Sequence, residues 1–510
     1  MQGVISAGSR PTAEAGAAIL AAGGHAVDAA VAASFAVAAG EPTVTSLAGG
    51  GMMLVRDGAT QEVTVLDFFG NAPQLKQSEV ENLDFYSIDL NYGPTTQSFY
   101  VGAGSAGVPG NIPGLCTAQE RWGRFSLAEV IEPACRLLRE GAVLGPRQAA
   151  LAQFLAPILI SQPEPKAIFA PTGRFLESGD SFRLPVLADT LEALADQRWQ
   201  DFYDGPMRSQ MLAQFGPDNG GLLTAEDFDN YQVIERPPLT VKSGDALVYT
   251  MPPPAAGGPM IGLMRLLLTE HRAEDFSRER ALCAAMATAD AARLVGRLAT
   301  SGADLDWCVH DFRTRIQGSL ASPALPGGPP STTHISVVDQ DGNAASVTLS
   351  HGESNACLID GMGIMMNNFL GEDDLLPHGF GTAPTGERLA TMMSPTIVEA
   401  ADGGLHVLGT GGSNRIRTAI LQVIGSLIDD GLTPSAAVNE PRLHYEAGVL
   451  NAETFGSANV RALKEISSER FVPFEDPHLF FGGVNLASRL RDGRFDGGGD
   501  PRRGGHCVIV

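Results

Sequence analysis

SPALPGGPPSTTHISVVDQDGNAASVTLS, residues 322–350, is the stretch on which the fold turns. Four prolines and two glycines among residues 322–331 exclude regular structure and predict a flexible loop. From Thr332 the character changes. Apolar and polar residues alternate on both sides of Asp341-Gly342, which predicts two antiparallel strands joined by a tight turn. If the loop is Gln340, Asp341 and Gly342, with Gly342 left-handed, Asp339 pairs with Asn343 and counting outward sets Thr332 opposite Ser350. Side chains directly opposed in this way lie within about 5 Å. A two-residue loop shifts the count by one and puts His351 there instead.

A loop that ends abruptly at a strand suits chain cleavage. The Thr332 hydroxyl can attack the carbonyl of Ser331. Hydrolysis of the resulting ester leaves Thr332 with a free α-amine of reference pKa about 7.7–8.0, a usable base near neutrality. One residue then carries both nucleophile and base, which activates an otherwise weak hydroxyl. Ser350 is placed to hydrogen-bond that hydroxyl. The plainer reading is that Thr332-Thr333 is β-branched strand material. A second feature is LGTGGSNRIRTAIL, residues 408–421, a strand end, a Gly-rich turn and a helix start. Backbone N–H groups in such a turn suit a developing oxyanion. It also reads as an ordinary strand-to-helix turn. A phosphate loop is disfavoured because its Lys-Ser/Thr ending is missing.

Working outward, residues 11–22 read as a helix with Pro11 in the first turn, and residues 26–39 as a second, Ala-rich helix packed on both sides. SLAGGGMMLV and VTVLDF read as a Gly-rich turn feeding a strand and the strand after it. Residues 115–300 are mainly helical, with a long run over 278–301. Strand signals recur at SPTIVEA and HVLGT, before a helix over 415–431. Strand pairs with flanking helices predict stacked α and β layers rather than a repeat array. Hydrophobic residues at 44 % and charged residues at 18 % supply a large core for 510 residues.

A net charge of −23 argues against a nucleic-acid partner, which needs a clustered basic surface. The six cysteines form no C-x-x-C pair, so neither a disulfide framework nor structural zinc is expected. The histidines are scattered without ligand spacing, and no metal or other cofactor is expected. The acidic run Glu372-Asp373-Asp374 suits an amine or a cation. Residues 29–40 are too short an apolar run to span a bilayer. With no signal peptide visible, a cytoplasmic location is expected, or a periplasmic one if a leader was removed.

With these residues in hand, the chain resembles the γ-glutamyltransferase (glutathione hydrolase) family over nearly its whole length. The matches run in order: AILAAGGHAVDAAVAASFAVAAGEP, SLAGGGMMLV, GVPGNIPGL, GGLLTAEDFDNYQVIERPPL, VYTMPPPAAGGPM, TTHISVVDQDGNAASVT, GIMMNN, MMSPTIV, GTGGSNRI, LFFGGVNLA and GGGDPRRGG. The resemblance implies an α+β fold, a four-layer αββα sandwich of the N-terminal-nucleophile hydrolase type. It implies a precursor cut between Ser331 and Thr332 into a large subunit, 1–331, and a small one, 332–510, held in one folded unit. It makes Thr332 the nucleophile, Ser350 its supporting hydroxyl, and Gly411 and Gly412 the oxyanion donors. The partners implied are a small-molecule amide and an amine acceptor or water, with room for a homodimer.

The sequence also departs from that family. Typical members grip the substrate α-carboxylate with an Arg shortly after the strand matching VTVLDF, yet no Arg occurs between Arg56 and Arg121, and Lys76 is the lone cation in the matching stretch. Thr391 and Met392 stand where a Ser-Ser pair is usual. Gly352 stands for an Asn, and Phe369 for a Gln. Glu372 or Asp373 is placed to hold an amine, and Glu353 joins them as a substrate-binding candidate. Three readings follow: a γ-glutamyl hydrolase or transferase; a relative cleaving another amide, oxamate-like or bearing an acyl side chain, or serving a biosynthetic pathway; and a scaffold without turnover, against which the intact Thr332, Ser350 and GTGGS set argues. The substitutions predict weak activity on γ-glutamyl substrates and better activity on amides without a full glutamyl head.

Overall fold

The hairpin closes on the three-residue loop. Asp339 pairs outside Gln340, Asp341 and Gly342, Gly342 takes φ +80°, and the register runs from Val338 opposite Ala344 to Thr332 opposite Ser350. The Asp339 carboxylate fixes the turn by accepting the backbone N–H groups of Asp341 and Asn343 at 3.0 and 2.9 Å. The computed structural model describes residues 1–91, 96–196, 198–271, 275–321, 331–376, 379–466 and 470–510. The Pro/Gly loop expected before Thr332 therefore lies, for residues 322–330, outside the described residues.

This hairpin forms the middle of a larger sheet. In chain order the principal strands are β1 (Gly3–Ala7), β2 (Gly50–Arg56), β3 (Val63–Phe68), β4 (Ile234–Arg236), β5 (Leu239–Ser243), β6 (Ala246–Thr250), β7 (Thr332–Asp339), β8 (Ala344–Ser350), β9 (Thr396–Glu399), β10 (Leu405–Gly409), β11 (Asn485–Arg489), β12 (Phe495–Gly498) and β13 (His506–Ile509). The first sheet has the order β13-β1-β7-β8-β2-β3-β4 and the second β12-β11-β10-β9-β6-β5. The strand pairs within both are antiparallel. Face to face, β7 and β8 pack on β10 and β11.

Helices cover the outer faces. α1 (Arg10–Ala21) and α2 (Ala26–Gly40) lie on the first sheet; α3 (Gly257–Thr269) and α5 (Arg415–Ile428) lie on the second, with α4 (Arg278–Leu294) behind α3. The result is the expected αββα order. α2 is buried nearly all round, and its run of alanines lets the backbone sit close to neighbours on every side. A capping box starts it: the His25 ring accepts from Val27 N–H at 3.1 Å while Asp28 accepts from His25 N–H at 2.7 Å. The long helical run expected over 278–301 stops earlier, at Leu294, because Gly296 takes φ +68° and turns the chain away.

The interface between the sheets is apolar over most of its area but polar beneath Thr332. Asn485 of β11 donates to the His334 carbonyl at 2.8 Å, and Ser336 donates to the Asn485 carbonyl at 3.0 Å. The His334 ring is held by Thr348 and Ser336 at 2.8 Å each and lies against Gly409, where a Cβ would sit 2.3 Å from it. Burial pushes its pKa down to about 3, so the ring is neutral. The six cysteines are free thiols. Among the described residues no helix is long and apolar enough to cross a membrane.

Candidate active site

Thr332 is the first residue of a central strand, between β1 on one side and β8 on the other in sheet order. Ser350 faces it across the ladder. The Ser350 hydroxyl accepts the Gly352 N–H at 3.1 Å and donates to the carbonyl oxygen of Ser331 at 2.6 Å. Its proton is thus aimed at the carbonyl that Thr332 would attack, where it draws electron density from the carbon and makes it more electrophilic. Both Ser331 and Ser350 are buried, which strengthens that polarisation by excluding water.

The turn after β10 approaches the same point. A Cβ on Gly411 would lie 1.9 Å from the Thr332 carbonyl oxygen, so only glycine allows the turn to come this near. Gly412 takes φ +137°. Among the described residues, neither backbone N–H donates a hydrogen bond to a protein acceptor, which leaves two donors beside Thr332. The Arg503 guanidinium lies along this turn, within 3.0 and 3.3 Å of where Cβ atoms of Gly411 and Gly412 would sit.

A small cavity opens beside Thr332, Ser331 and Ser350. One wall is acidic. Glu353 and Glu372 are buried, at 2 % and 9 % exposure, and Asp374 stands beside them, accepting from the Ser413 hydroxyl at 2.7 Å. Burial and the nearby Asp374 charge raise both glutamates: Glu353 to about 7, although a hydrogen bond with Glu372 pulls it down, and Glu372, which Glu353 also repels, well above the usual carboxylate range. Glu372 thus holds the proton that the pair shares. Its Oε1 also accepts the Glu353 N–H at 3.1 Å, and Asn368 accepts it at 2.8 Å. These two acceptors explain Gly352. With φ +68°, a Cβ at this position would fall 1.9 Å from Glu372 Oε1 and 2.1 Å from Asn368 Oδ1. Among the described residues, no group of three or more acidic, His or Cys side chains is placed to hold a metal ion.

The opposite wall is apolar. Phe69 and Phe369 pack with ring centroids 4.7 Å apart, and Met392 and Met393 complete the surface. Thr391 also lines the cavity, but its hydroxyl accepts the Met393 N–H at 3.2 Å. No Lys or Arg is among the described residues lining this cavity. Two expectations are corrected here. Asp373 is exposed and does not line the cavity, so of the pair Glu372 and Asp373 it is Glu372 that faces it. Lys76 is exposed at the start of a 3₁₀ turn and does not line the cavity, so it does not stand in for the missing Arg. Being near the right strand in sequence did not bring its side chain to the site.

The structure also places groups that residue patterns did not single out. Glu41, buried at the end of α2, accepts from the Thr333 hydroxyl at 2.6 Å and the Thr12 hydroxyl at 2.9 Å. Burial lifts its pKa to about 7 against the pull of these donors. Ser413 and Arg503 come from separate segments and meet the acidic run's Asp374 and the Gly411-Gly412 turn only in the fold. Each lies in or beside a motif with its own local reading, and no spacing linked them.

The comparison with known families decides the kinship, because the gamma-glutamyltranspeptidase model matches residues 12–510. The chain belongs to the gamma-glutamyltranspeptidase family. It is 29 % identical over 539 residues to the glutathione hydrolase proenzyme of Escherichia coli (strain K12), spanning 98 % of this chain and 90 % of that one. It is 30 % identical over 526 residues to the Acylase ACY 1 proenzyme of Pseudomonas sp. (strain SE83), spanning 97 % and 91 %. The crystal structure of cephalosporin acylase from Bacillus halodurans superposes with a TM-score of 0.81 at 24 % identity, covering 99 % of this chain and 95 % of that one. That last likeness bears on the fold, which is the N-terminal-nucleophile sandwich. As a member of this family the chain is an enzyme of the hydrolase and acyltransferase type.

Proposed function

We propose that this family member is made as a precursor that cuts its own Ser331–Thr332 bond, and that Thr332 then serves as nucleophile in cleaving an amide without a glutamyl head. The observation that carries the reading is the 2.6 Å hydrogen bond from Ser350 to the Ser331 carbonyl, beside a Thr that begins a strand. In maturation the Thr332 hydroxyl oxygen bonds to the Ser331 carbonyl carbon. The bond from that carbon to the Thr332 nitrogen breaks, and the hydroxyl proton ends on the nitrogen. Water then hydrolyses the ester, giving a Ser331 carboxylate and a free Thr332 amine. The fragments 1–331 and 332–510 are the large and small subunits.

In turnover the free amine takes the hydroxyl proton as the oxygen attacks the substrate carbonyl. The N–H groups of Gly411 and Gly412 receive the oxyanion, the amine proton passes to the leaving nitrogen, and the acyl group remains on Thr332 until water or an amine accepts it. The acyl preference follows from charge. A glutamyl α-carboxylate would enter a cavity walled by Glu353, Glu372 and Asp374 and lacking a lining cation. Like charges about 4 Å apart at a partly buried site repel by roughly 4 kcal/mol. The kinship with an acylase proenzyme at 30 % identity supports the same preference.

The test is direct. Purified protein should run as two bands near two-thirds and one-third of the 53.4 kDa chain, and Thr332→Ala as one. A trapped acyl group should map to Thr332 by mass spectrometry. Wild-type protein that turns over amides while uncut refutes the mechanism, and efficient cleavage of a γ-glutamyl anilide refutes the acyl preference.

A further inference from the structure

The precursor carries its own acyl group into the site. Once the chain shifts from the Thr332 nitrogen to the Thr332 oxygen, Ser331 is esterified to the nucleophile. Chemically this ester is an acyl-enzyme, and its hydrolysis is the same bond-breaking step that ends each turnover. How the protein holds Ser331 therefore reports what the acyl pocket is built to hold. The Ser331 carbonyl rests on Ser350. Its backbone N–H and its hydroxyl face the Glu353 carboxylate across the same cavity, and both pull the Glu353 pKa down. Those donors sit on the first and second carbons beyond the scissile carbonyl. The second Glu353 oxygen, Oε2, is buried and receives no N–H or hydroxyl donor among the described residues. Glu353 is 2 % exposed and lines the cavity that contains Thr332.

We infer that Glu353 is the specificity-determining residue of the acyl pocket, and that the pocket selects amides whose acyl group bears a nitrogen or hydroxyl donor on the carbon next to the scissile carbonyl, or one carbon beyond it. The substrate class is an α-amino, α-amido or β-hydroxy acyl amide. This rests on the reading of Thr332 as nucleophile. A γ-glutamyl group meets the requirement poorly, because its amine lies two carbons farther out and brings a carboxylate with it. An unsubstituted acyl chain leaves Glu353 buried without its donors, and losing a hydrogen bond to a charged acceptor weakens recognition by about tenfold to a hundredfold. The proton held between Glu353 and Glu372 lets the wall accept either a neutral amide N–H or a charged amine. Glu353 touches the acyl group rather than the reacting atoms, so its effect belongs in KM more than in kcat.

The experiment uses the mature wild-type enzyme, its cleavage confirmed by mass, and four p-nitroanilides: N-acetyl-L-seryl, L-seryl, propionyl and γ-glutamyl. kcat/KM for at least one of the two seryl compounds should exceed that for the propionyl compound by about a hundredfold. Glu353→Gln, where it matures, should raise KM for the preferred seryl compound and shrink its advantage over the propionyl compound. Where that variant stays uncut, the wild-type panel decides alone. Equal cleavage of seryl and propionyl anilides by an enzyme that acylates on Thr332 overturns the assignment of Glu353 and leaves the nucleophile standing. A preference for the γ-glutamyl anilide overturns it as well. If none of the four acylates Thr332, this inference falls together with the reading beneath it.

Discussion

Ser350 has two hydrogen bonds and they run in opposite senses: it accepts from Gly352 and donates to Ser331. The first fixes the hydroxyl rotor, and the second aims the proton at the Ser331 carbonyl, the one attacked in the proposed cleavage. Ser350→Ala removes this donor and keeps the strand. Loss of one such donor ordinarily costs on the order of 10²–10³ in rate, so the variant should fold and cut itself more slowly by that factor, followed as band conversion on a gel. An unchanged rate removes Ser350 from the mechanism. Glu41 offers a second test at this scale. Its carboxyl is lifted from 4.5 to about 7, so between these values the folded protein keeps a proton that the unfolded chain has released. The stability so contributed is complete below pH 4.5 and is lost as the pH rises through 7. Glu41→Gln cannot ionise. It should flatten the fall in stability between pH 4.5 and 8, and at pH 8 it should be more stable than wild type by on the order of 3 kcal/mol. Glu353 and Glu372 add a residual slope of the same sign. Denaturant midpoints across that range decide it; a parallel fall in both proteins refutes the assignment to Glu41.

At the scale of elements, the hairpin loop sets the site. Deleting Asn343, with the chain still turning on Gln340, Asp341 and Gly342, pairs Asp339 with Ala344, and the count then places Thr332 against His351. In a strand of period two, one step turns each side chain to the other face. The variant should remain one uncut band with reduced solubility, whereas cleavage at the normal rate would show that register does not position Thr332. This element was legible in the sequence because every contribution to it is local: alternation marks the strands, Asp341-Gly342 marks the turn, and counting does the rest. The strand-turn-helix about Gly411 and Gly412 was legible for the same reason. The acidic wall was only half legible. Glu372 and Glu353 stood out by type, but their shared proton depends on packing that brings residues 353, 372 and 374 together. Gly352 looked like a lost Asn, although its reason lies in the space taken by Glu372 and Asn368. Glu41 meets Thr333 across 292 positions, and no pattern in one chain announces such a meeting.

For the whole molecule, the position of the proposed cut matters as much as its chemistry. In the first sheet β7, β8 and β13 lie after residue 331 and β1 to β4 before it, and the two sets interleave: β1 lies between β13 and β7, and β8 lies beside β2. In the second sheet β6 from the first part pairs with β9 from the second. Separating residues 1–331 from 332–510 would break both sheets, so on the proposed cut the two fragments would stay together as one body. The Ser331 carbonyl, the Ser350 hydroxyl and Thr332 are neighbours within a single chain, the first two joined by the 2.6 Å bond from Ser350. On the proposed mechanism, the clock that starts the enzyme is therefore unimolecular. Fresh precursor should gain activity along a first-order curve whose half-time is the same in dilute and concentrated samples, and mature enzyme added to it should not hasten the curve. A half-time that shortens as protein is added would mean that one molecule cuts another, which this arrangement does not allow.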